Sequence, residues 1–250
     1  MNIIYIKMFY INYSIFIKMK NILCIIPARS GSKGLPDKNI KEFRRHPLLT
    51  WSITQALHSK HYMKIVVSTD SEQYAKIARK YGAEVPFLRP SEISGDLSTD
   101  YECIKHCVEW LEKNEKYTPD VILQLRPTQP CRNVETINKC LDIFIENINN
   151  YDSLRTVIKI DKSPYKMYQI DKNNNKLIPL FNEFKDIKEP YNQCRQILPE
   201  CYLHNGYIDI LKIETLKNGS ISGNNIYPYL MNKDEDIDID TIEDWKKAEL

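Results

Sequence analysis

Three short runs of almost unbroken apolar residues constrain this chain most: "ILCIIP" at 22–27, "KIVVSTD" at 64–70 and "DVILQL" at 120–125. A strand with one face in water alternates apolar and polar side chains. A run without alternation must be covered on both faces, which is the signature of a parallel sheet between helical layers. The segments between these runs have the helical period. "HPLLTWSITQAL" (46–57) sets Leu48, Leu49, Ile53 and Leu57 on one face, and the next segment does the same with Tyr74, Ile77 and Ala78 before Gly82 stops it. Thr99 and Glu102 form a capping box ahead of Ile104, Val108 and Leu111, and Asn133 opens a helix carrying Val134, Ile137, Leu141, Phe144, Ile145 and Ile148. Strand and helix in alternation predict an α/β fold with a mainly parallel sheet.

In such sheets ligands bind beyond the carboxyl ends of the strands. Each apolar run here leads into an unusual stretch: "PARSGSKG", "STDSE" and "RPTQPCR". The first is not a P-loop, because Lys33 precedes Gly34 and no hydroxyl follows it; nor is it a GxGxxG dinucleotide loop. Its ingredients still suit an anion. Gly31 and Gly34 permit close backbone approach, and Arg29, Lys33 and Lys38 can neutralise a polyphosphate. The alternative is a solvated surface turn. Near the other end, Asp236, Asp238 and Asp240 alternate with Ile237 and Ile239, so a half-buried strand would set all three carboxylates on one face. The alternative is a solvated acidic stretch. Crowded carboxylates attract a divalent cation. Together the two features point to Mg²⁺-dependent chemistry on a nucleoside triphosphate.

Composition excludes more than it selects. Hydrophobic residues at 42%, charged residues at 27% and a net charge of +2 describe an ordinary globular chain without the basic face of a nucleic-acid-binding protein. The seven cysteines contain no CxxC pair, and Cys103 and Cys107, one helical turn apart, lack companion zinc ligands. Most of them are expected to be reduced core residues of a cytoplasmic protein. Residues 1–20 hold an apolar stretch between Lys7 and Lys18 that falls short of the ~20 residues a membrane span needs. No small-residue cleavage site follows it. The segment is read as a disordered or mis-assigned extension, or a weak amphipathic anchor, with Met19 a natural start and the folded domain covering 21–250. From about 161 to 200 the pattern gives way to two short strands around an Asn-rich turn and a polar stretch, expected to project as an arm.

In order along the chain, "ARSGSKGLPDKN", "VSTD", "LRPSEISGD", "RPTQPCR", "SPYKMY", "RQILPECYLHNG" and "DIDT" resemble the acylneuraminate cytidylyltransferase family. These are the CMP-sialic acid synthetases and their relatives for legionaminic-type nonulosonic acids, and the resemblance covers nearly everything from Asn21 on. It implies a Rossmann-like three-layer nucleotidyltransferase fold and transfer of CMP from CTP to an acidic nine-carbon sugar, with release of pyrophosphate. By motif, Ala28, Arg29, Ser32, Lys33, Lys38 and Asn39 would hold the CTP phosphates and ribose. Arg89, Ser98 and Asp100 match a second nucleotide-contacting stretch, where backbone groups matter more than side chains. Asp238 and Asp240 would bind Mg²⁺ (or Mn²⁺), and with Lys33 they form the implied catalytic set. Arg126, Thr128, Lys166, Arg195, Gln196 and Asn205 match positions near the sugar, where an Arg fork can grip a carboxylate. The arm around Lys166 implies a homodimer with shared sites, and His204 is read as structural.

Two positions depart from the sialic-acid pattern: Arg126 stands where Gln is common before Pro-Thr, and Asp209 where Tyr often follows Asn-Gly. An Arg-Pro-Thr version is closer to enzymes for legionaminic-type sugars. Three other readings stay open. They are a CMP-Kdo synthetase-like enzyme, against which the late "RQILP…NG" block speaks; a glycosyltransferase, whose Asp-x-Asp motif usually lies mid-chain; and an inactive homologue that senses or scaffolds sugar nucleotides.

Overall fold

The structure, a computed structural model, describes residues 20–249; the expectations for residues 1–19, including the start at Met19, lie outside them. A six-stranded sheet forms the centre: β1 (Ile22–Pro27), β2 (Lys64–Ser68), β3 (Val121–Gln124), β4 (Ser153–Lys159), β5 (Tyr202–Lys212) and β6 (Ile226–Met231), in the order β6-β4-β5-β3-β1-β2. β1 pairs in parallel with β2 and β3, in the registers Ile25 to Val66 and Cys24 to Leu123. β6 is also parallel to its neighbour β4, whereas β5 runs antiparallel to both β3 and β4. The sheet is therefore mainly parallel, with one reversed strand in its middle.

Side-chain alternation along β1 explains why its sequence does not alternate. Cys24 and Ile26 enter one buried cluster with Leu49 and Ile53 of α1 (Leu48–Leu57), Tyr74 and Ala78 of α2 (Glu72–Lys80), and Ile137, Leu141 and Phe144 of α4 (Val134–Glu146). Leu23 and Ile25 face the opposite layer, Ile104, Val108 and Leu111 of α3 (Asp100–Glu115) and Leu216 of α5 (Ile213–Lys217). Three layers result.

The expected caps are present. The Thr99 hydroxyl accepts from the Glu102 N–H, and the Glu102 carboxylate accepts from the Thr99 N–H at 2.7 Å. The Asn133 side chain accepts from the Glu135 N–H at 2.9 Å, which starts α4 where expected. One boundary moves, and one side chain expected in the core is outside it. α1 begins at Leu48 because His46–Pro47 pairs instead with Glu42–Phe43, and Leu57, expected on the apolar face, ends the helix exposed.

The acidic run corrects its expectation. Residues 236–240 are irregular and join no strand. Their anchor is the Ile239 N–H donating to the Thr128 carbonyl at 2.8 Å, with the Ile239 side chain buried among Phe43, Leu48, Trp245 and Ala248. The Trp245 ring stands edge-on to Phe43 at 5.7 Å. The closing helix α6 (Ile242–Glu249), not anticipated from sequence, is capped by Thr241 and Asp244 and carries Trp245 into that cluster.

Segment 161–200 contains the expected hairpin, Tyr168–Asp171 against Lys176–Pro179, and a shorter one, Glu183–Phe184 against Ile187–Lys188. Among the described residues no helix is long and apolar enough to cross a membrane.

Candidate active site

The loops leaving β1, β2 and β3 converge at the carboxyl ends of the parallel strands. The first is pinned at several points. The Ala28 N–H, itself buried, donates to the Ser68 carbonyl at 2.9 Å, joining the loop to β2. Asp70, in the "STDSE" stretch, accepts from the Ser30 N–H and hydroxyl, each at 2.8 Å. Buried Asn39 donates from Nδ2 to the Arg29 carbonyl at 3.0 Å and so closes the loop on itself. A Cβ on Gly34 would lie 2.7 Å from the Asp240 carbonyl oxygen, whereas one on Gly31 would meet no protein atom. Gly34 is thus required where the loop passes the acidic run.

These loops enclose a cavity of about 440 Å³. Arg29, Lys33, Lys38, Arg89 and Arg126 line it, against the acids Asp100 and Asp240. Ser32, Asn39, Ser98 and Thr128 complete most of its polar wall. An excess of cations in a concave, partly desolvated site favours a polyanion.

The cations are not equivalent. Arg29 and Lys33 both pair with the Asp96 carboxylate, Arg29 at 2.9 Å, and these two contacts, Lys33 first, hold the Asp96 carboxyl below the usual range. Lys38 donates to Asp240 Oδ1 at 2.8 Å and to the Ile239 carbonyl at 3.0 Å. Arg89 is buried and donates to the Ser68 hydroxyl and carbonyl, neutral acceptors that fix its guanidinium in the wall without cancelling its charge.

Of the expected metal pair, Asp240 lines the cavity and Asp238 lies beside it. Asp238 is exposed as a residue, yet protein crowds its carboxyl. That desolvation, with the neighbouring Asp240 charge, raises its pKa despite a hydrogen bond to Thr128. The two carboxylates thus carry the crowding that the alternating sequence suggested, from an irregular segment rather than a strand.

The expected sugar residues divide. Arg126 and Thr128 line the cavity; Lys166, Arg195, Gln196 and Asn205 are not in its wall. Lys166 Nζ donates to the Gln193 carbonyl at 2.5 Å and to that of Tyr191 at 3.4 Å, which ties segment 161–200 to itself. Arg195 and Gln196 line a second cavity of about 400 Å³, with Lys159, Asp161 and Glu200. Asn205 accepts from the Thr156 hydroxyl at 2.8 Å and from the Tyr207 N–H at 3.2 Å, holding the irregular turn within β5.

Several residues of this site received no role from sequence. Asp96 orients Arg29 and Lys33, Asp70 fixes their loop through Ser30, and Asp209 and Arg132 hold Arg126 from behind. Arg126 Nη1 lies 2.6 Å from Asp209, Nη2 lies 2.6 Å from Asp100, and Arg132 Nη2 donates to the Arg126 carbonyl at 2.8 Å. Arg126 and Asp209, the two departures from the sialic-acid pattern, are therefore one ion pair. The quoted motifs contain Asp70, Asp96 and Arg132 but not Asp209, and the contacts of the three acids with Ser30, Arg29, Lys33 and Arg126 join separate segments, out of reach of any local pattern.

Comparison with known proteins agrees with this geometry. The family model described as Cytidylyltransferase matches residues 23–179. The chain is 34% identical over 233 residues to a CMP-N,N'-diacetyllegionaminic acid synthase of Campylobacter jejuni, covering 93% of this chain and 95% of that protein. It is 37% identical over 233 residues to the protein of the same name from Legionella pneumophila, covering 91% and 94%. A pseudaminic acid cytidylyltransferase of Campylobacter jejuni is 31% identical, covering 93% and 96%. Among solved structures, a CMP:2-keto-3-deoxy-manno-octonic acid synthetase complexed with CTP superposes with a TM-score of 0.64 at 16% identity, covering 92% of this chain and 97% of that one. A 4-diphosphocytidyl-2C-methyl-D-erythritol synthase of Anaerococcus prevotii gives 0.61 at 14%, covering 93% and 96%. These two establish the nucleotidyltransferase fold, and the curated relatives with the family model establish the lineage: the chain belongs to the cytidylyltransferase family.

Proposed function

We propose that this protein transfers CMP from CTP to the anomeric hydroxyl of an acidic nine-carbon sugar, with a legionaminic-type nonulosonate the best-supported substrate. The observation that carries the reading is the convergence of Arg29, Lys33, Lys38 and Asp240 on one cavity beyond the parallel strands. The names of the relatives supply the sugar class. The sugar hydroxyl gives up its proton to solvent as its oxygen attacks the α-phosphorus, a P–O bond forms to the sugar, and the bond to the β-phosphate breaks to release pyrophosphate. Arg29, Ser32, Lys33 and Lys38 hold the phosphates in line, and Asn39 fixes the loop that carries them. Catalysis of this kind is positioning and charge neutralisation. Lys33, released from Asp96 by a competing phosphate, neutralises charge that builds on the leaving group. Arg195 and Lys166, outside the cavity within one chain, are assigned to the acidic sugar through the arm.

The donor set fits Mg²⁺ or Mn²⁺. Among the described residues no group of three or more His, Cys, Asp or Glu is placed to hold a metal alone. Mg²⁺ usually takes one or two carboxylates and completes its shell with water and substrate phosphates. Asp238 and Asp240 would hold it, and when bound it supplies charge neutralisation and acidifies the attacking hydroxyl.

A homodimer belongs to the same reading. On the arm Ile170 is 63% exposed, Leu177 64% and Phe181 41%, an apolar surface that a lone soluble chain seldom leaves uncovered. Light scattering should give a mass near twice 29.5 kDa, and Ile170→Lys with Leu177→Lys should shift it toward the monomer. A wild-type monomer at tens of micromolar sinks the dimer. A cytoplasmic location completes the picture, supported by seven free cysteines, of which Cys194 is exposed.

The deciding experiment mixes purified protein, CTP and Mg²⁺ with sialic, legionaminic, pseudaminic or Kdo acids and follows pyrophosphate. Release with a nonulosonic acid is the expected result. CTP binding without release from any acid would favour a sensor, and release with Kdo alone would redirect the substrate.

A further inference from the structure

Arg126 is unlike the other cations of the cavity because its charge is already answered on two sides. Asp209 and Asp100 each stand 2.6 Å from its guanidinium, one per terminal nitrogen. A third acceptor, the Gly206 carbonyl, lies 3.2 Å from Nη1. Gly206 has φ +66°, and a Cβ there would come within 2.9 Å of Arg126 Nη1, so only glycine brings that carbonyl into place. Asp209 is itself held: its other oxygen lies 2.7 Å from His204 Nε2, with Arg155 Nε at 4.0 Å. Burial would push the Asp209 carboxyl up, but the His204 hydrogen bond and the Arg126 charge outweigh it and hold the group ionised.

Two consequences follow from elementary accounting. A guanidinium has five N–H donors; three are engaged here, which leaves two for a ligand in the cavity that Arg126 lines. A substrate carboxylate brought to Arg126 would also meet Asp100 and Asp209; with Arg155 standing 4.0 Å from Asp209, two carboxylates face two guanidiniums, and the group carries no net positive charge. The group is therefore a rigid hydrogen-bond donor with little net attraction for an anion. The best partner for such a donor is a strong neutral acceptor, and on an acidic amino sugar that is the carbonyl of an acylamido group.

Building on the nonulosonate reading, we infer that Arg126 determines specificity by donating to an acylamido carbonyl of the sugar rather than to its carboxylate, and that Asp209 is the residue that positions it. The pairing of Arg126 with Asp209 then acquires a function: two changes that look independent in sequence install one oriented donor. A site built around such a donor discriminates against a sugar that lacks the acceptor.

The test compares wild type, Arg126→Met, Asp209→Asn and the double variant on three nonulosonic acids with two, one and no acylamido groups, using CTP throughout. For the acylamido sugars Arg126→Met should lower kcat/KM by roughly tenfold or more, mainly through KM. For the all-hydroxyl sugar the loss should be about threefold or more smaller than for the other two, and the CTP Kd, by calorimetry, reports separately any change in phosphate binding common to all three. Asp209→Asn should show the same ranking of sugars, and the double variant should lose no further selectivity. That ranking is a readout which simple destabilisation would not produce, and a cooperative thermal melt certifies the fold. Equal losses on all three sugars would overturn the inference, since Arg126 would then serve a group common to them, such as the carboxylate. Unchanged kinetics would overturn it as well. A wild type without turnover on any acid would overturn the function and this inference together, whereas turnover without selective loss overturns only the role of Arg126.

Discussion

Asp240→Ala is expected to cut pyrophosphate release by about 10² to 10³-fold while leaving the fold intact. Three tasks meet at this residue. Its carboxylate is the partner of Lys38 at 2.8 Å, its backbone carbonyl lies against Gly34, and its second oxygen is a candidate metal ligand. Removing the carboxylate leaves Lys38 held only by the Ile239 carbonyl, and one of two proposed metal donors is gone. The Asp240 side chain is 66% exposed, so its removal makes no cavity and should move the melting temperature little. Steady-state assays across a Mg²⁺ titration, paired with thermal melts, separate the two effects. Activity within about threefold of wild type at saturating Mg²⁺ would remove Asp240 from the catalytic set.

The largest effect on stability is expected at Arg132. This side chain is buried at 3% exposure without a carboxylate partner, and burial lowers its pKa to about 10. It is retained because neutral acceptors surround it: the Tyr207 carbonyl at 2.5 Å, Gln55 Oε1 at 2.7 Å, the Arg126 carbonyl at 2.8 Å and the Ser52 hydroxyl at 3.2 Å. Its guanidinium carbon also lies 5.4 Å from the centre of the Tyr207 ring. Arg132→Ala strands those acceptors and opens a void, which should cost about 3–5 kcal/mol, a large part of a typical domain's stability. Arg132→Lys should recover only part of it, because one ammonium cannot replace a planar fan of donors. Chemical denaturation measures both, and a loss below about 1 kcal/mol for the alanine variant would show that the loop after β3 does not depend on this residue.

The buried runs at 22–27, 64–68 and 121–124 announced the sheet because full burial on two faces leaves its mark in every residue of a strand. Thr99 with Glu102, and Asn133, announced helix starts because caps act within four residues. The anion loop was visible for a similar reason, since Arg29, Lys33, Gly34, Lys38 and Asn39 are close in sequence. The acidic run was misread as a strand because alternation of Asp and Ile satisfies the same pattern when a single buried side chain, Ile239, anchors an irregular segment.

What local sequence determined, then, is everything whose cause lies within a few residues: periodicity, caps, and the cations of one loop. Tertiary structure alone decided which charges are spent. Asp96 on Arg29 and Lys33, and Asp209 with Asp100 on Arg126, are pairings between loops brought together by the sheet. Coulombic and hydrogen-bond energies depend on distances of a few ångströms and on local desolvation. Neither quantity exists until the strands have set the loops side by side.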